Sequence, residues 1–148
     1  MMVARASVLV RAPLETVRQA VLDPSAYTFG PTKVQAMEVI SRGQDELVAK
    51  INGNLGPFHS SIQARYRLHP DHVDLTMLEG RLRDFHAVFL FESRDGGVLL
   101  THQEEYDFGY PVISRLLDRA LQGWATRSVE AEVLSLKQAA ESRSRSAA

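Results

Sequence analysis

The chain has 148 residues, 45% of them apolar and 24% charged, with no cysteine and a formal net charge of -1. That length and balance fit one domain with a single core, and argue against general disorder, a fibrous repeat or two ordinary domains. Near-neutrality supplies no summed positive field for phosphate backbones or anionic lipid surfaces, so nucleic acid is not an expected partner. The missing thiols exclude disulfides, thiolate nucleophiles and thiolate metal sites, and fit a reducing cytoplasm.

In chain order, Arg5 and Arg11 interrupt the opening segment, leaving no signal core and no apolar stretch able to cross a bilayer. Ala6, Val8, Val10 and Ala12 alternate with Ser7, Leu9 and Arg11 and predict a half-buried strand. Pro13 stops that strand and suits the first turn of a helix, where Leu14, Val17, Ala20 and Val21 follow at helical spacing. Asp23 as cap and Pro24 at the first position predict a second short helix, which Gly30-Pro31 ends.

From Val34 to Phe108 the period changes, and turn signals at 42–45, 53–57, 69–71, 79–80 and 95–97 divide the segment into six strands. Phe58, Ser60, Ile62, Ala64, Tyr66 and Leu68 share one face of their strand, as Leu100, Tyr106 and Phe108 do of theirs, so one side of the sheet is expected to be wet. Hairpin-length connections predict an antiparallel meander of seven strands, with the first at an edge or beside the last. After Gly109, Pro111 opens a helical pattern of roughly 30 residues, about 45 Å, with Ile113, Leu117, Leu121, Trp124, Ala125, Val129, Val133, Leu136 and Ala140 as its apolar stripe. Packing that stripe into the sheet's apolar face covers both. The reading is an α+β fold, one domain over 1–141, with a frayed tail over 142–148.

The order strand, two short helices, six strands, long helix resembles the helix-grip (SRPBCC, START-like) superfamily. Three stretches are most similar to its bacterial polyketide cyclase/dehydrase and coenzyme-Q-binding branch: 8–13 with Val17 and Asp23; Phe85 to Phe91 with its aromatic-x-aromatic ending; and Gly97 to Tyr106 before the Leu-rich helix. The resemblance implies a curved sheet around a long C-terminal helix and a cavity for a lipid, isoprenoid quinone or polyketide, with no shared catalytic signature to carry across. Tyr27-Thr28-Phe29-Gly30-Pro31 departs from it, since many members have a Trp before that Pro.

His102 and Glu104 fall in phase with Leu100 and Tyr106 on the inward face, where an unpartnered polar group costs about 1–3 kcal/mol. Either they pair with each other or with helix groups, or they orient or protonate a ligand. Burial raises a carboxyl and lowers an imidazole, whereas mutual pairing does the reverse, and the sequence leaves both outcomes open. Tyr66, Phe85, Phe89, Phe91, Leu117, Leu121 and Trp124 complete the expected ligand-facing set with Leu100, His102, Glu104 and Tyr106. Gly123 beside Trp124 marks a notch that either widens the cavity or admits a strand. Val88 and Leu90 make the other face of their strand apolar, which leaves a monomer or a weak homodimer.

His69-x-x-His72 flanks Pro70-Asp71 and reads as turn histidines rather than a metal site; without a phosphate loop or a nucleophile elbow, nucleotide-dependent and serine-hydrolase mechanisms lack their parts, and no cofactor is expected. Three functions remain: a carrier of a hydrophobic small molecule; a cyclase or aromatase using His102 or Glu104 for proton transfer; or a protein-interaction module.

Overall fold

Alternation along the strands and the tight links between them build one seven-stranded antiparallel sheet in the order β1-β7-β6-β5-β4-β3-β2. The computed structural model describes residues 1–109 and 111–147, and the side chains of 111–114, Ile113 included, lie outside the described set. The strands are β1 (Met2–Val10), β2 (Val34–Arg42), β3 (Glu46–Leu55), β4 (Phe58–Leu68), β5 (His72–Glu79), β6 (Asp84–Arg94) and β7 (Gly97–Asp107). The meander is as expected, and β1 satisfies both placements, being an edge strand paired to β7. Its alternation reaches back to Met2, which is buried with Ala4 and Val10.

Two turn readings shift. Gly53 belongs to β3, because the Asn54 N–H reaches back to the Lys33 carbonyl at 3.0 Å; a Cβ on Gly53 would sit 2.3 Å from that oxygen. The turn itself rests on Gly56, whose φ of 61° suits glycine. Gly97 likewise starts β7, with no room for a Cβ against the Val10 carbonyl. Register shifts in β2 (Val34/Ala36 and Val39/Ser41) and between Gln63 and Ala64 of β4 mark irregular pairing of the kind that bends a sheet.

Pro13 stands one residue ahead of α1 (Leu14–Val21), extended, and its carbonyl accepts the Val17 N–H at 3.1 Å. Asp23 caps α2 (Pro24–Tyr27) as expected, accepting the Ser25 N–H at 2.9 Å. Helix α3 (Pro111–Ala147) has 37 residues, about 55 Å. It is longer than expected because residues 142–147, expected to fray, continue the helix, with Arg143 paired to Asp23.

Leu121, Ala125, Val129, Leu136 and Ala140 of the expected stripe are buried in the core, and Leu117 and Trp124 are half-buried against it. α3 also covers the sheet's edge. Gln122 Nε2 donates to the Val3 carbonyl at 3.0 Å and Lys137 Nζ to the Leu9 carbonyl at 2.8 Å, occupying acceptors that β1 leaves without a strand neighbour. Ser135, also on α3, donates to the Ala26 carbonyl at 2.7 Å and accepts the Gly30 N–H at 2.9 Å, fixing the segment after α2. In that segment Tyr27 is buried edge-on to Phe89, while Phe29 is 55% exposed. No helix among the described residues is long and apolar enough to cross a membrane.

Candidate functional site

The inward face of β7 carries Leu100, His102, Glu104 and Tyr106, all buried, as the alternation requires. The two polar members meet partners from elsewhere in the chain. Lys33, just ahead of β2, places its Nζ on Glu104 Oε1, 3.0 Å from the Tyr106 hydroxyl and 3.4 Å from Glu132 Oε2 of α3. His102 Nε2 lies 3.2 Å from Glu104 Oε2 and 3.5 Å from Glu132 Oε2. Tyr106 donates its hydroxyl proton to Glu104 Oε1 at 2.6 Å. The imidazole is fixed by stacking on Phe89, with centroids 4.0 Å apart, and by its Nδ1, which donates to the Val88 carbonyl at 3.2 Å.

Two basic and two acidic side chains thus share one buried cluster, and pairing decides their protonation. Burial opposes the charged imidazole, but the Glu132 and Glu104 carboxylates outweigh it and raise His102 to about 9. Burial also opposes the Lys33 ammonium; Glu104, the Tyr106 oxygen and Glu132 overcome that and hold its pKa well above the usual lysine value. Burial pushes the Glu104 carboxyl up, yet Lys33 and His102 hold it well below the carboxylate range. Burial, then Glu132, raise the phenol of Tyr66, and burial, then Glu104, raise that of Tyr106, so both stay neutral donors.

A metal does not fit this cluster. One atom each of His102, Glu104 and Glu132 lies within 4.8 Å of the others, but the Lys33 ammonium already contacts both carboxylates and would repel a second cation.

A pocket opens beside the cluster at the end of the sheet formed by the β3–β4 and β5–β6 connections. Ile51, Leu55, Ile62, Leu82, Phe85 and Trp124 give it apolar walls; Lys33 and Tyr106 are its polar floor. Its interior volume is about 60 Å³. The Lys33 Nζ lies 5.7 Å from the Tyr106 ring centroid and 5.9 Å from that of Trp124, so aromatic faces flank the ammonium.

Of the expected ligand-facing residues, Phe85, Tyr106 and Trp124 line this pocket. Tyr66, Phe89, Leu100, His102 and Glu104 are buried core residues outside its lining, as is Phe91, opposite Leu100. Leu121 packs toward Gly56, and Leu117 is half-buried on the same helix. The Gly123 notch serves neither of its expected purposes, since Gly123 is exposed and a Cβ there would meet only the Arg127 guanidinium, at 3.2 Å. Val88 is half-buried and Leu90 exposed.

Sequence reasoning missed Lys33 and Glu132. Glu132 carried a legible signal, because it falls three residues after Val129 and four before Leu136 on the apolar stripe, the same kind of anomaly that marked His102 and Glu104. Lys33 carried none, as its position depends on the chain turning back at Gly30-Pro31.

No family model and no curated protein matches this chain. Solved structures do. TTHA0849 from Thermus thermophilus superposes with a TM-score of 0.85 at 17% identity, covering 96% of this chain and 99% of that one. The Zhui aromatase/cyclase from Streptomyces sp. R1128 gives 0.77 at 18%, covering 98% and 96%. A START superfamily protein from Mycobacterium smegmatis gives 0.69 at 14%, covering the whole of both chains. At these identities the likeness concerns the fold: the chain has the helix-grip architecture.

Proposed function

We propose that this protein binds a hydrophobic small molecule whose body lies among Ile51, Leu55, Ile62, Leu82, Phe85 and Trp124, and whose polar end, a carbonyl, phenol or carboxylate oxygen, meets Lys33 and Tyr106. One observation carries the reading: an apolar pocket ends on an ammonium that a buried network keeps charged and in place. Such a floor fixes orientation while the walls supply affinity.

The pocket's about 60 Å³ is less than the roughly 150 Å³ that holds benzene in an apolar cavity, so a guest must displace wall side chains. Leu82, in the short link between β5 and β6, and the half-buried Trp124 are the walls free to yield.

The test is native mass spectrometry of gently purified protein, followed by titration with fatty acids, isoprenoid quinones and polycyclic phenols. The proposal expects one class to bind, and Ile62→Trp, which fills the pocket, to abolish that binding without loss of fold. An empty protein that ignores the whole panel, or binding unchanged by Ile62→Trp, overturns it.

A second reading is cyclisation or dehydration of a polyketide-like chain, supported by the aromatase/cyclase among the structural neighbours. In it, Lys33 polarises a substrate carbonyl; it cannot act as the base, because its raised pKa keeps it protonated. His102 and Glu104 then act through Lys33 and Tyr106 rather than on substrate.

A further inference from the structure

The hydrogen bonds at the pocket floor leave little for a guest, and what they leave is specific. An ammonium has three N–H groups and no acceptor. Lys33 gives one to Glu104 Oε1 and a second to the Tyr106 oxygen at 3.0 Å. Glu132 Oε2 lies 3.4 Å from the same nitrogen but takes no hydrogen bond among the described residues, so the third N–H remains for a guest. Tyr106 has no donor to add, because its one hydroxyl proton goes to Glu104 Oε1 at 2.6 Å. The floor therefore offers a single N–H, which suits a single oxygen acceptor.

Charge narrows the class of that acceptor. Lys33 and His102 together face Glu104 and Glu132, so basic and acidic groups are matched two to two before any guest arrives. Both carboxylates are buried and the pocket walls are apolar, so solvent screens an added charge poorly. A guest carboxylate on the third N–H would set its oxygen roughly 4.5 Å from Glu104 Oε1, the separation of two acceptors around a tetrahedral ammonium with hydrogen bonds of about 2.8 Å. It would bring a third negative charge to two cations. Its second oxygen would have only uncharged side chains, Asn54 and Ser60 among the lining, to turn to.

A ketone-type carbonyl has no charge to place and is answered by one donor, and the bond it accepts from an ammonium is stronger than one from a neutral N–H. A phenol meets the same N–H but must also place its own proton, for which the floor leaves only the Tyr106 oxygen, already an acceptor from Lys33.

We propose, on the footing that this pocket is the binding site, that it selects neutral carbonyl compounds over carboxylates of the same hydrocarbon body, with Lys33 supplying the one donor and Glu104 excluding the second negative charge.

The test compares three guests with one body, 2-acetylnaphthalene, 2-naphthoate and 2-ethylnaphthalene, at pH 7, where the carboxyl is ionised. Binding is followed by calorimetry and by the indole N–H resonance of Trp124, the chain's one tryptophan and part of the pocket lining. The ketone is expected to bind at least about tenfold more tightly than either the carboxylate or the hydrocarbon. Glu104→Gln removes a counter-charge of Lys33 and should reverse the order, the carboxylate gaining at least about tenfold on the ketone; circular dichroism checks that the variant is folded. Naphthoate binding the unaltered protein as tightly as the ketone overturns the proposal and leaves the pocket reading standing. So does the hydrocarbon matching the ketone, because the ammonium then directs nothing. An unreversed order in folded Glu104→Gln overturns the part given to Glu104. If none of the three binds and the Trp124 resonance does not move, the pocket reading falls and this proposal with it.

Discussion

Replacing Lys33 with methionine removes the ammonium and keeps most of the side chain's length, so it tests the network with little change in packing. Lys33 is only 14% exposed at its side chain, against 3% for Glu104 and 6% for Glu132. At 3.4 Å from Glu132 and an effective dielectric near 20, the lost attraction is about 5 kcal/mol, before any contact with Glu104 is counted. Part returns when solvent or His102 reorganises around the orphaned carboxylates, and removal of one partner of a buried ion pair typically costs about 3–5 kcal/mol. For a domain of this size that corresponds to a fall of about 6–20 °C in melting temperature. Urea unfolding measures the loss directly. The double variant Lys33→Met with Glu104→Gln removes the charge and its counter-charge together, and should recover at least half of the single-variant loss. A single-variant loss below about 1 kcal/mol, or a double variant whose loss equals the sum of the two singles, would refute the account of the cluster as a mutually dependent network.

Three further outcomes are expected. The folded pKa of His102 lies above its ordinary value, so its contribution is complete below about pH 6.5 and is lost as pH rises through about 9; the size is about 3 kcal/mol. Urea stability should therefore fall between pH 7 and 9.5, and His102→Gln should flatten that slope; an unchanged slope in the variant would assign it to another group. Gly53→Ala forces a methyl against the Lys33 carbonyl, so it should cost about 1–3 kcal/mol by chemical denaturation and weaken ligand binding by moving Lys33. Deleting 142–148 removes the Asp23–Arg143 pair, whose side chains are about a third exposed, and should lower stability by no more than about 1 kcal/mol; a larger loss would show that the last turns of α3 matter to the core.

The fold was legible because its signals are local. Alternation in β4 and β7 set which side chains face inward, and Gly-Pro and Asp-Gly breaks set where the strands end, so the order of β2 to β7 followed from short connections, while the place of β1 was narrowed only to an edge or the side of β7. The shifts at Gly53 and Gly97 arose because a glycine demanded by close backbone approach looks, in sequence, like one demanded by a turn. Of the site, half was legible. His102 and Glu104 stood out as polar residues on an apolar face, and Tyr106 and Trp124 as aromatics beside them. Their partners come from 71 residues earlier and 28 later than Glu104, and no periodicity links such distant positions. The contacts around Asp74 were hidden for the same reason: His69 and His72 share a turn, but Asp74 and His86 join them only through β5 and its register with β6.

The two parts of the pocket differ in what they can do for a ligand. Two of its walls, Leu82 on a short link and Trp124 on α3, stand outside the strands and can repack at the cost of a few weak contacts, which on the proposed reading sets how large a guest is admitted. Its floor cannot follow. Lys33 is held by Glu104, Tyr106 and Glu132 at once, and each of these is buried behind it. Moving the ammonium by an ångström would strand at least one carboxylate without a counter-charge. A buried cluster of this kind is not needed for packing, since apolar side chains of similar volume would fill the same space at equal or lower free-energy cost. Its physical effect is to hold a cation at a fixed point on the boundary of an apolar hollow, and under the proposed function discrimination among ligands therefore rests on where their oxygen lies rather than on how their hydrocarbon is shaped.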